Sequence, residues 1–136
     1  MAKKTWTEKF NSDKPHQVKV IDKAFADIPE GGKMLIATPK IIADHISQLP
    51  AGHQTDTKTM RNDLAIEHQA EYTCPVTTGI FLRTVAEAAY EMKEEGTPVK
   101  DLPPFWRAID EKSKLSQKLT FGTEFLIQMR KKEGLI

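Results

Sequence analysis

The side chains best suited to chemistry are one thiol, four imidazoles and a helix start rich in hydroxyls. Cys74 is the only cysteine. It precedes Pro75 at the start of an apolar-periodic run, where the positive end of a helix favours a thiolate. No histidine stands beside it in sequence to act as a base, so it reads either as a nucleophile completed by the fold or as a small buried side chain. His16, His45, His53 and His68 are scattered, without the paired spacing of a zinc or iron site, which points to structural or surface roles. Gly31-Gly32-Lys33 lacks the spacing and the following hydroxyl of a phosphate loop. Glu94-Glu95 and Asp110-Glu111 fall in turn-rich stretches and read as solvating carboxylates. These residues compose no hydrolase, metal centre or cofactor site.

Thr77, Thr78 and Arg83 suggest a different chemistry. Hydroxyls and an arginine in the first turns of a long helix are groups that recognition helices place on phosphates and base edges. The same residues also fit helix capping and an ion pair between Arg83 and Glu87 at i, i+4 spacing. Both readings stand at this level.

The elements that would position these residues follow from patterning. Lys3 to Phe10 fits a short helix with Trp6 and Phe10 on one side, broken by Asn11 to Pro15. Residues 1–32 read as an N-terminal extension, closed by the Pro29-Glu30-Gly31-Gly32 loop, and residues 33–136 as the compact domain. Met34 to Ala37 is a short apolar run suited to a buried strand. Thr38-Pro39 supplies an N-cap and first helical position for a helix with Ile42, Ile46 and Leu49 inward. Asp56 or Thr57 caps a second helix carrying Met60, Leu64 and His68 on its inner stripe. A longer helix after Thr73-Cys74-Pro75 places Phe81, Val85, Ala88, Ala89 and Met92 on one face. Phe105 to Ile109 and Leu115 to Leu119 read as two strands around a turn at Asp110 to Lys114. The last helix runs from about Gly122 to Lys132, with Phe125, Leu126 and Met129 inward and Gly134 past its end. This order predicts a mainly α domain of winged helix-turn-helix type with a small β-hairpin.

Charge is balanced overall, with 20 Lys and Arg against 19 Asp and Glu, but it is unevenly placed. Residues 1–23 carry six basic against three acidic side chains, residues 24–104 seven against twelve, and residues 105–136 seven against four. Binding a phosphate backbone would require the fold to gather the basic ends on one face. No apolar run is long enough to span a bilayer and no signal-peptide core follows Met1. The single cysteine fits a reducing compartment, so the expectation is a cytoplasmic protein.

Three motifs in order resemble the DNA-binding domain of the alkylguanine-DNA alkyltransferases. Leu49-Pro50-Ala51-Gly52 with Thr55, Thr57 and the Met60 to Ala65 helix resembles the P-x-G-x-x-T stretch that opens that family's helix-turn-helix. Pro104-Phe105-Trp106-Arg107-Ala108-Ile109 resembles its active-site P-C-H-R-V-[IV] segment. Gly122-Thr123-Glu124 through Met129 to Glu133-Gly134 resembles its closing helix. The likeness covers about residues 33–134. It implies a fold that binds double-stranded DNA through Thr57, Lys58, Arg61, Thr77, Thr78, Arg83 and Lys114.

The family's nucleophilic cysteine corresponds to Phe105 and its activating histidine to Trp106. Neither a phenyl ring nor an indole can take those roles. The resemblance therefore implies a non-catalytic relative, akin to the alkyltransferase-like proteins that bind alkylated DNA and recruit repair factors. Phe105, Trp106 and Arg107 would line a remnant pocket. A second expectation, supported by Glu87, Glu91, Glu94 and Glu95 on the long helix, is a protein-interaction module that keeps the fold without binding DNA. A third is an enzyme acting through Cys74.

Overall fold

The computed structural model describes residues 5–136. Helix α1 (Trp6–Phe10) is followed by strand β1 (Gln17–Val20), β2 (Lys33–Ile36), helices α2 (Pro39–Ser47) and α3 (Thr57–Glu67), a two-residue β3 (Tyr72–Thr73) and the twenty-residue α4 (Pro75–Glu94). Two 3-10 turns (Val99–Asp101 and Phe105–Arg107) lead into α5 (Lys114–Gln117) and α6 (Glu124–Lys132). The protein is mainly α with one small sheet. Among the described residues no helix is long and apolar enough to cross a membrane.

Local sequence sets most helix ends. Thr38 Oγ1 accepts from the Ile41 N–H at 3.2 Å, with Pro39 at the first helical position, satisfying a backbone donor that the helix itself leaves free. Asp56 Oδ1 accepts from Thr59 N–H at 2.7 Å and does the same for α3. Thr5 and Glu8 form a reciprocal capping box on α1. Lys3 and Lys4, the first residues of the expected α1, lie outside the described residues. Helices α4 and α6 both stop at a left-handed glycine, Gly96 (φ +105°) and Gly134 (φ +75°). In each, the next N–H reaches back to the carbonyl of Met92 or Arg130 and the glycine N–H to that of Lys93 or Lys131, a closure that a Cβ would strain.

Helix α4 is the axis of the molecule and touches α1, α2 and α3. Leu82, Val85, Ala86, Ala88 and Ala89 are wholly buried on it, and Leu35, Ile42, Ile46, Met60, Leu64, Phe105 and Leu126 close around it. The i, i+4 pair Ile42 and Ile46 aims α2 inward, and the Met60–Leu64 pair does the same for α3.

Two expected strands are corrected. Phe105 to Ile109 forms a 3-10 turn instead, with Arg107 N–H bonded to Pro104 O and Ala108 N–H to Phe105 O. Phe105, Trp106, Ala108 and Ile109 are all buried, so the run has no alternating face and satisfies its backbone locally. Leu115 to Leu119 begins as one turn of α5, capped by Ser113 Oγ on Ser116 N–H. No hairpin stands at 105–119.

The antiparallel pair of this protein is β1 with β2, in register Gln17–Ile36 to Val20–Lys33. Strand β3 adds to the far side of β2 in parallel. Segment 1–32, read as an extension, thus supplies an edge strand to the sheet and, in α1, a helix against α4.

Candidate nucleic-acid interface

Helix α4 has one open face. Val76 and Ile80 are more than half exposed, Gly79 has open space above it, and Arg83 completes an i, i+3, i+4, i+7 stripe. Beyond Arg83 the helix is buried from Thr84 to Ala89. Glu91, one turn from its end, accepts Trp6 N–H (3.2 Å), Thr7 N–H (2.9 Å) and Thr7 Oγ1–H (2.8 Å), fastening the α1 N-terminus to α4. Burial alone would raise the Glu91 carboxyl, but the Thr7 and Trp6 donors outweigh it and hold the group below the ordinary glutamate range.

Docking α1 in this way leaves a cleft of about 680 Å³ between α1 with its following loop, β1 and the first half of α4. Its apolar lining includes Trp6, Ile36, Ile80 and Phe81, and its cations are Lys9, Lys14, Lys19 and Arg83. Among the described residues no carboxylate lines it. Lys9 Nζ lies 4.3 Å and Arg83 Cζ 5.2 Å from the Trp6 ring centroid, within cation–π range. Thr77 Oγ1, also in the lining, is a buried oxygen with no hydrogen-bond partner among the described residues.

The acidic side chains of α4 are turned to other work. Glu87 is buried, and its carboxylate accepts from Thr120 N–H (3.0 Å) and Thr120 Oγ1–H (2.6 Å). Arg83 Nε reaches it from outside at 3.4 Å, the i, i+4 pair that the spacing allowed. Glu91 is committed to α1, and Glu94 and Glu95 are exposed at the opposite end of the helix from Thr77. None of these carboxylates lines the cleft.

The other residues singled out in the sequence are dispersed. Thr78 is buried, its hydroxyl bonded to Cys74 O at 2.6 Å. Arg61 is committed: its Nε donates to Thr73 O, and its two terminal nitrogens hold the Asp27 carboxylate at 3.1 and 2.7 Å. Thr57 and Lys58 are exposed at the start of α3 and Lys114 at the start of α5. Thr57 lines a separate polar cleft with Asp56, Asp110 and Ser113. Only Thr77 and Arg83 come together in the basic cleft. Trp6, Lys9, Lys14 and Lys19, their neighbours there, were not singled out. Their spacing along the segment does not mark a cleft, which forms only where α1 and β1 lie beside α4.

Phe105 is wholly buried, its ring 5.3 Å from Trp106, 5.9 Å from Phe121 and 6.1 Å from Phe125. It is a core residue and lines none of the three clefts described here. Trp106 and Arg107 do border a shallow cleft, with Gly52 and Glu133, but their polar atoms are already engaged. Trp106 Nε1–H donates to Glu133 Oε2 at 2.6 Å, and Arg107 grips both Glu133 oxygens and Leu49 O. Cys74 is buried, with Sγ accepting from Thr77 N–H at 3.5 Å as the cap of α4. His45 faces Glu67 at 3.0 Å and His68 bonds Leu64 O. No group of three metal-ligating side chains is clustered among the described residues.

Comparison with protein-family models, curated proteins and solved structures returned no match to this chain.

Proposed function

We propose that this chain is a non-catalytic DNA-binding protein of alkyltransferase-like fold. In this reading α3 and α4 act as the helix-turn-helix, and the β1–β2 pair, whose first strand lines the cleft beside α4, is the wing. The observation that carries it is the cleft beside α4, lined by Ile80 and Arg83 of the open stripe, with four cations and no carboxylate among the described residues. Such a surface attracts a phosphate backbone and lets Arg83 meet polar edges. The absence of chemistry follows from Phe105 and Trp106, which occupy the places of nucleophile and base in the resemblance. Recognition of an alkylated base, and recruitment of a repair-protein partner, extend the same reading.

Binding to duplex DNA at two salt concentrations, with guanine and with alkylguanine in the probe, tests it. The expected result is salt-sensitive binding that weakens by about 1–3 kcal/mol in Arg83→Ala. Binding unaffected by both salt and Arg83→Ala would remove α4 from the interface.

A further inference from the structure

The cleft is lined by the cations Lys9, Lys14, Lys19 and Arg83 and by apolar side chains that include Trp6, Ile36, Ile80 and Phe81. The cations suit the phosphates of any nucleic acid. The apolar side chains suit flat base faces, which a duplex keeps stacked on one another and a single strand leaves open. An unstacked single strand presents both, with charge repeating along the backbone and a base face at each step.

We propose that the cleft between α1, β1 and α4 is a binding site for single-stranded nucleic acid, with backbone phosphates on Lys9, Lys14 and Lys19 and a base lodged beside Trp6. This rests on the DNA-binding reading and names the form of nucleic acid that the site takes. Trp6 is the natural reporter. It is partly exposed in the cleft and flanked by Lys9 and Arg83, whereas Trp106, the other tryptophan, is buried on Glu133. A polyglutamate chain or a lipid surface would meet the cations but supplies no flat ring beside Trp6.

The test is titration of the full chain with oligothymidylate, the matching duplex, poly-glutamate and phosphatidylserine vesicles, read by tryptophan fluorescence and by anisotropy of labelled strands. Oligothymidylate should quench Trp6 and bind at least about tenfold tighter than duplex. Lys14→Glu with Lys19→Glu, both exposed and outside the core, should weaken that binding by more than tenfold. The double variant should also flatten the log–log salt dependence by about 1.4, the share of two phosphate contacts on a single strand. Trp6→Ala should weaken it by about 5- to 150-fold. Duplex binding that equals or exceeds single-strand binding would overturn the single-strand assignment, and the DNA-binding reading would stand if that binding still weakens in Arg83→Ala. Binding to neither nucleic acid at low salt would overturn both. Equal or tighter binding of poly-glutamate or vesicles would show that the cleft recognises anions or apolar surface without regard to bases, and would also overturn the proposal.

Discussion

Arg107 and Arg130, where the Phe105–Arg107 turn meets α6, and Lys9, Lys14 and Lys19, on the α1–β1 wall, are cations in opposite circumstances. Arg130 is almost fully buried, and donates to Glu111 (2.8 Å), Gln54 (2.8 Å) and Trp106 O (2.7 Å). Arg107 is held as firmly by Glu133 and Leu49 O. The three lysines make no ion pair among the described residues and, like Arg83, border a cleft without carboxylates. The planar guanidinium suits a fixed fork of acceptors, so the arginines fasten chain segments distant in sequence. A hydrated ammonium on a flexible stem suits a repeating anion such as phosphate. The same formal charge therefore serves architecture at one end and remains available at the other.

Breaking the arginine end should cost the most. Glu133→Ala leaves Arg107 and the Trp106 indole N–H without their shared acceptor, and a loss of about 3–5 kcal/mol is expected in chemical denaturation. A loss below 1 kcal/mol would mean that this network is incidental to the fold. Burial alone would raise the Glu133 carboxyl, but the donors Arg107, Trp106 and Gly52 N–H prevail and keep it below the ordinary glutamate range. A carboxyl depressed in the folded state adds stability above its unfolded pKa and loses it as pH falls through the folded one. Wild-type protein should accordingly weaken as pH falls below about 4.3, the ordinary glutamate value. Glu133→Gln should show a shallower decline, measured as the denaturation midpoint against pH.

Smaller changes sharpen the contrast. Asp56→Ala removes the cap of α3 and should cost about 1 kcal/mol, most of it at neutral pH. The Thr59 backbone and side-chain bonds hold Asp56 below its usual value, so acid should erase the difference. Gly79→Ala meets open space on α4 and should stabilise by about 0.5–1 kcal/mol in thermal melts. Gly79→Gln, which projects a longer side chain from the same open face, should weaken nucleic-acid binding without destabilising the fold. Lys14→Glu with Lys19→Glu should move stability by less than about 0.5 kcal/mol while changing the affinity described above. A large stability loss there would make those lysines structural and remove the contrast between the two ends.

Much of the helical frame was legible because its signals are local. Thr38-Pro39, Asp56 and Gly134 announce helix ends through bonds that close within four or five residues, and the α2, α4 and α6 stripes follow from a 3.6-residue period. The strands were not legible to the same degree. Gln17 to Val20 is exposed throughout and carries no buried alternation, so only its pairing with β2 makes it a strand. Phe105 to Ile109 differs for the opposite reason, since a run whose apolar members are all buried has no alternation to read. For the candidate site, the Arg83–Glu87 relation was within reach of spacing, and the lysine wall was not.

The sequence by itself determined where α2, α3, α4 and α6 lie and which faces they bury, together with the lack of ligand spacing among its histidines. Only the tertiary structure decided that Glu91 docks α1 across 84 residues of chain, that Phe105 is core, and that Lys9, Lys14 and Lys19 share a cleft with Arg83. The physical reason is range. Caps and amphipathic faces are encoded by neighbours, whereas a cleft is the space left when distant segments pack, and no spacing along one segment records it.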